Sequence, residues 1–178
     1  MVCTANRCRS PMAEHILRSR LAESPLNWRI SSAGTHAVEH TEIMPNAAKI
    51  LDRMGIDTAG FRSRRVNRQL IGEADLILTA EQRQRELIAA VEPAARRRTF
   101  TLLQFARFVD DPDRDGELRT GRELLHLALE MQGASQPPAH SEDLADPVGG
   151  PRRGYRVCAD LIETAIDSIL GYTDWRPA

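Results

Sequence analysis

The chain opens Met-Val-Cys-Thr-Ala-Asn-Arg-Cys-Arg-Ser-Pro, which sets Cys3 and Arg9 on either side of five residues directly ahead of a helix entrance. A cysteine attacks as its thiolate, and a guanidinium is a planar fork that grips two oxygens of a phosphate. A helix N-terminus adds unpaired N–H groups and the positive end of its dipole, both suited to an anion. If Thr4, Ala5, Asn6, Arg7 and Cys8 wrap with their N–H groups inward, Arg9 returns beside Cys3 and the sulfur faces phosphorus. The same field favours the thiolate, and the Ser10 hydroxyl offers a further donor. Asn6 suits a strained position, because asparagine tolerates left-handed backbone. Taken alone, the turn reads equally as an ordinary capped helix with a buried cysteine. Arginine is common here, with Lys49 the only lysine among 24 basic residues, so a cysteine six positions before an arginine arises easily by chance.

A thiolate that attacks a phosphate ester needs an acid to protonate the departing oxygen. Asp146, in Leu-Ala-Asp-Pro-Val-Gly-Gly-Pro, is the candidate: Pro147 stiffens the loop while Gly149 and Gly150 let it move or approach closely. Asp-Pro is also an ordinary turn former. A second pair, Asp111-Pro112, lies among acidic neighbours without a following Gly-Gly and is the weaker acid.

These groups need a scaffold. Ser10 reads as an N-cap and Pro11 as the first helical residue, with Met12, Ile16, Leu17 and Leu21 following at helical spacing. Residues 28–35 read as a strand ending at Gly34, and a helix runs from Pro45 to a stop at Gly55. Asp75 to Ala80 is a compact apolar run suited to a buried parallel strand; a helix follows, and Thr99 to Phe105 supplies another strand. Leu118 to Met131 reads as a helix burying Leu124, Leu125, Leu127, Ala128 and Met131. The flanking stretches 110–116 and 132–143 read as loops. A last helix from Gly154 to Leu170 places Val157, Leu161, Ile162, Ala165, Ile166 and Ile169 on one side, and Gly171 ends it. The alternation predicts a three-layer α/β domain.

With 178 residues, one domain is expected. A formal net charge of −1 gives no electrostatic reason to expect nucleic acid or an anionic membrane as partner. Charged residues interrupt every apolar run of the first twenty positions, and no stretch approaches the roughly 20 apolar residues of a membrane span, so a cytoplasmic protein is expected. Three irregularly spaced cysteines argue against a disulfide framework.

The combined pattern resembles the low-molecular-weight protein tyrosine phosphatase family. Residues 2–14 look like its phosphate loop and first helix. Ser-Ser-Ala-Gly-Thr-His-Ala, Gly-Ile-Asp, Phe-Arg-Ser-Arg-Arg-Val, residues 74–85 and residues 146–162 resemble later segments in order. The resemblance implies a four-stranded parallel twisted sheet flanked by helices, with the phosphate loop after the first strand. It implies one phosphatase domain over 1–178, with residues 110–142 longer than the family usually has. Cys3 would form a phosphocysteine, Arg9 would stabilise the transferring phosphoryl group, and Asp146 would act first as acid and then as base for water. No metal or cofactor is implied. Asn6, Ser10 and Ser32 match positions that brace the loop, and Cys8 matches a cysteine that pairs reversibly with the nucleophile under oxidation. The expected substrate is a phosphorylated protein, phosphotyrosine by family default, or a small phosphomonoester, and the expected state is a monomer.

Three departures stand out. Family members begin with several apolar residues that form a central first strand, whereas only Met1 and Val2 precede Cys3; the expectation is that the natural polypeptide starts further upstream. Arg7 stands where the family has an apolar or small residue, a charge that either favours an acidic substrate or snorkels into solvent. Val148-Gly149 follows Asp-Pro where many tyrosine phosphatases have aromatics, which leaves phosphoarginine open. Rival readings are an arsenate reductase, which would need relay thiols beyond Cys3 and Cys8, and a phosphate-binding or redox-sensing module without turnover; Cys158, on the last helix, reads as packed. His36-Ala-Val-Glu-His40 spells a metalloprotease motif but falls in a loop. Arg62, Arg64, Arg65 and Arg68 read as a solvated basic face. Tyr155 and Tyr172 are conceivable phosphorylation sites.

Overall fold

The structure is a computed structural model that describes residues 1–26, 28–110, 120–134 and 141–171. Asp111-Pro112, residues 135–140 of the stretch expected as a loop over 132–143, and Tyr172 lie outside them, while 132–134 belong to a helix. Four parallel strands, β1 (Val2–Cys3), β2 (Ala33–Gly34), β3 (Ile77–Thr79) and β4 (Thr99–Thr101), form one sheet in the order β2-β1-β3-β4. In register, Val2 pairs with both Ala33 and Thr79, and Ile77, Leu78 and Thr79 pair with Thr99, Phe100 and Thr101.

Alternate residues of these strands face opposite ways, so the sheet divides the core. Leu78 and Phe100 turn to the larger side with α1 (Arg9–Arg20), α2 (Pro45–Arg53), α5 (Leu102–Val109), α6 (Gly121–Ala134) and α7 (Arg152–Leu170). Val2 and Ile77 turn to the smaller side with Ile71 of α3 (Arg68–Glu73), Ile88 of α4 (Gln82–Val91) and Ala95 of the 3-10 helix Pro93–Arg98. The three layers and the parallel sheet are as the sequence predicts. Phe100, fully buried with Phe105 and Phe108 around its ring, anchors the larger side; burying such a side chain is worth about 1.5–3 kcal/mol.

Several elements differ from expectation. The run 99–105 is a strand only to Thr101; the Thr101 hydroxyl then accepts from Gln104 N at 3.2 Å and α5 begins. Leu102, Phe105, Ala106 and Val109 recur at helical spacing and are buried, so packing favours the helix. The first helix is capped at Cys8 and not at Ser10, which frees the serine hydroxyl for the loop. The strand expected over 28–35 narrows to Ala33–Gly34, and α3 was not anticipated. In α7 the buried face is Tyr155, Cys158, Ala159, Ile162, Ala165, Ile166, Ile169 and Leu170, while Val157 and Leu161 lie about a quarter-turn away and are exposed. Met131 is also exposed, whereas Leu124 and Ala128 are buried as expected. Gly55 and Gly171 end α2 and α7 with φ of 72° each, a left-handed geometry that glycine adopts without a Cβ penalty.

At the end of the sheet away from Cys3, Met1, Trp28, Ile30, Leu76 and Ile77 help to wall a cavity of about 710 Å³. No helix among the described residues is long and apolar enough to cross a membrane.

Candidate active site

In a parallel sheet the loops that leave the carboxyl ends of the strands gather at one edge, the usual place for a ligand. Here β1 delivers Cys3 into the loop 4–8, the turn after β3 carries Glu81, and residues 142–150 lie against the ends of both β3 and β4. That last attachment is specific: Leu144 N donates to Ala80 O at 2.7 Å, the Thr101 hydroxyl to Glu142 O at 2.9 Å, and Gln82 N to Asp143 Oδ1 at 2.7 Å.

The loop is held by its carbonyls. Thr35 N donates to Cys3 O at 2.9 Å, His36 N to Thr4 O at 2.8 Å, Met44 N to Arg7 O at 2.7 Å and Met12 N to Cys8 O at 3.0 Å. By contrast, the N–H groups of Ala5, Asn6, Arg7 and Cys8 donate to no protein group among the described residues. Carbonyls turned out and amides left free are what an anion cradle needs.

Asn6 sits at the centre with φ of 52°. Its buried side chain donates to Ser10 Oγ at 3.0 Å and to Ser32 Oγ at 2.7 Å, and its Oδ1 accepts from Arg64 N at 2.9 Å. Ser10 Oγ lies 3.0 Å from Cys3 Sγ, and the Ser32 hydroxyl donates to the buried Glu14 carboxylate. Thus Asn6, Ser10 and Ser32 form one network with the nucleophile candidate. Gly34 backs the loop so closely that a Cβ there would meet Thr4 O at 2.6 Å and Asn6 N at 2.8 Å.

Arg9 is 2 % exposed and both of its Nη atoms are held by protein groups. One Nη donates to Glu81 and to Leu144 O at 2.9 Å; the other donates to Asp146 Oδ2 at 2.8 Å. Burial opposes its charge, but the hydrogen bond it donates to Glu81 and the charges of Asp146 and Glu81 outweigh burial and raise its pKa. Burial likewise opposes ionisation of Glu81, and its bonds to Arg9 and Arg83 overcome this and hold it below the usual carboxylate range. Asp146 remains 41 % exposed, its Oδ1 accepting from Val148 N at 3.2 Å, so it faces both Arg9 and solvent.

The other two thiols are buried. Burial pushes Cys8 far up, with Cys158 and Cys3 adding to it, and pushes Cys158 up to about 12. Neither is poised as a thiolate, which disfavours a relay of thiols. His36 and His40 lie in turns, not on a helix, and no cluster of metal-ligating side chains occurs among the described residues. Arg62, Arg65 and Arg68 are exposed as expected, but Arg64 turns inward and donates from Nε to Ser32 O at 2.8 Å. Tyr155 is 2 % exposed.

Cys3, Asn6, Arg9, Ser10, Ser32 and Asp146 therefore converge. Glu81, Glu14, Gly34 and the Arg64 backbone N–H were missed. For Glu81 a signal existed, its place at the carboxyl end of a buried parallel strand; the close approach at Gly34 has none in a single sequence.

The family described as low molecular weight phosphotyrosine protein phosphatase matches residues 1–127. The chain is 30 % identical over 168 residues to a protein-arginine-phosphatase of Geobacillus stearothermophilus, covering 94 % of this chain and 90 % of that one. It is 35 % identical over 113 residues to a putative low molecular weight protein-tyrosine-phosphatase of Klebsiella pneumoniae, covering 64 % and 76 %. Among solved structures, the arginine phosphatase of G. stearothermophilus superposes with a TM-score of 0.71 at 31 % identity, over 96 % of this chain and 88 % of that one. A low molecular weight protein tyrosine phosphatase from T. tengcongensis shares the fold at 24 % identity, with a TM-score of 0.73 over 96 % and 95 %.

Proposed function

As the chain belongs to the low molecular weight phosphotyrosine protein phosphatase family, we propose that it hydrolyses phosphomonoesters, protein phosphotyrosine foremost, through a phosphocysteine on Cys3. The supporting observation is the pairing of Cys3 with a loop whose free amides and flanking Arg9 suit a phosphate dianion.

The Cys3 thiolate attacks phosphorus, and the bond to the leaving oxygen breaks as Asp146 supplies its proton. The amides of residues 5–8 and the Arg9 fork hold the equatorial oxygens as charge spreads over them. Water then attacks the phosphocysteine, Asp146 takes its proton, and phosphate leaves with Cys3 restored. Asn6, Ser10 and Ser32 keep the loop in shape throughout. We read residues 1–178 as one phosphatase domain with an insertion over 110–142, acting as a cytoplasmic monomer.

A second reading, phosphoarginine as the substrate, is favoured by the similarity to the Geobacillus protein-arginine-phosphatase. The deciding assay is hydrolysis of p-nitrophenyl phosphate, a phosphotyrosine peptide and a phosphoarginine peptide, with chelator present, by the chain and by Cys3→Ser and Asp146→Ala. Turnover lost on every substrate in the first variant, and in the second slowed strongly on the phosphotyrosine peptide and less on p-nitrophenyl phosphate, supports the mechanism. Binding of phosphate without turnover in the unaltered chain would instead identify a non-catalytic module. The two peptides rank the substrates.

A further inference from the structure

Phosphate fixes the reacting group; the rim of the loop decides what may be attached to it. Two guanidinia stand at that rim. Arg7, inside the loop, is tied at Nε to Glu42 O at 3.0 Å, and its two Nη atoms have no protein partner among the described residues. Arg83, at the start of α4, reaches Thr4 Oγ1 from Nη2 at 3.3 Å while its Nε pairs with Glu81, and it is 61 % exposed. Thus Thr4 has an exposed cation beside it in Arg83, and the half-buried Arg7 brings a second to the same loop.

Among the described residues no aromatic wall balances them. Phe100, Phe105, Phe108 and Tyr155 are buried in the core, Phe61 packs edge-on against His15, and Trp28 lines the cavity at the far end of the sheet. The residue after Asp146-Pro147 is Val148, about half exposed. A phenyl leaving group thus finds little to stack on, whereas negative charge beside it finds two donors.

Resting on the phosphatase reading of this site, we propose that Arg7 and Arg83 are specificity residues that select phosphorylated peptide segments with Asp or Glu next to the phosphoresidue. Each carboxylate meets a guanidinium at least partly open to solvent, so each contact is screened by salt and worth only a few-fold. Basic flanks, and a cationic leaving group, meet repulsion at the same place.

The test uses three phosphotyrosine peptides of equal length with acidic, neutral or basic flanks. The expected order of kcat/KM is acidic over neutral over basic, with roughly five- to tenfold between the first two at low salt, shrinking as salt is added. In Arg83→Gln the ratio falls, and in Arg7→Gln with Arg83→Gln it falls to within about twofold. Equal rates for all three peptides, or a preference that survives both salt and the double change, would overturn the proposal. The same peptides titrated into Cys3→Ser by calorimetry separate the two levels of the argument. Failure to hydrolyse p-nitrophenyl phosphate refutes the phosphatase reading, whereas the affinity ranking of the peptides still decides the rim.

Discussion

Arg9 and Glu81, 72 positions apart, form a part-buried ion pair at the mouth of the loop, and Glu81 in turn holds Arg83. The pair fixes the plane of the Arg9 fork, because the same Nη also reaches Leu144 O. Glu81→Gln keeps the shape and removes the charge. It is expected to lower kcat about ten- to a hundredfold, the worth of one charge-assisted hydrogen bond, with a smaller change in KM. Steady-state kinetics on p-nitrophenyl phosphate checks this; a change confined to KM would contradict a positioning role.

Asp146 meets Arg9 at 2.8 Å yet keeps one face to solvent. Asp146→Asn is expected to slow hydrolysis by roughly a hundredfold to ten-thousandfold for a poorly leaving alkyl phosphate, and by far less for a good leaving group such as p-nitrophenol. A Brønsted series of aryl phosphates reads this directly: the variant's slope steepens if the carboxyl is the acid.

Gly34 lies under the loop with no room for a methyl group. Gly34→Ala would bring Cβ to 2.6 Å from Thr4 O and 2.8 Å from Asn6 N, both backbone, so the loop itself must shift. Activity should fall by at least about tenfold, since displacements near 1 Å cost that much or more. Amide chemical shifts of residues 4–6 report the displacement.

Asn6 supplies three side-chain hydrogen bonds and a left-handed residue. Asn6→Ala loses both, costing about 1–2 kcal/mol for the backbone alone; Asn6→Gly restores only the backbone. Thermal unfolding should rank native above glycine above alanine, while both variants lose most activity.

His15 is nearly buried, its Nε2 has no partner among the described residues, and burial holds its imidazole below the ordinary 6.5 despite Glu14 and Asp57; Arg18 also lowers it. A histidine with a lowered folded pKa binds protons more readily when unfolded, so its contribution to stability is full above about pH 6.5 and is lost as pH falls below that. The raised carboxylates of Glu163 and Asp167 act in the opposite sense, so the difference between native and His15→Leu isolates the histidine. The variant's melting temperature should fall less between pH 7.5 and 5.5.

What the sequence makes legible follows from local chemistry. The Cys3-to-Arg9 turn and the glycine stops at Gly55 and Gly171 are set by neighbours a few residues away and appear as read, and the apolar run 75–80 supplies a strand that narrows to Ile77–Thr79. The errors lie where distant packing chooses between local options. Thr99 to Phe105 is apolar enough for a strand, but the core rewards the helical face from Leu102 onward. Ser10 has the chemistry of a helix cap, and its hydroxyl serves Cys3 and Asn6 instead. Glu81 looks like any acid at a helix start until Arg9 is folded against it.

The contact between Arg9 and Asp146 spans 137 positions, and α7, which follows Asp146, packs against α1, which carries Arg9. Closing so long a loop is entropically costly and comes late, and during synthesis the N-terminal half emerges first. A ribosome-bound chain that has exposed only β1 to β4 would present the loop and its cysteine without the acid. The acid therefore joins the loop only after all four strands and the residues up to Asp146 have been made.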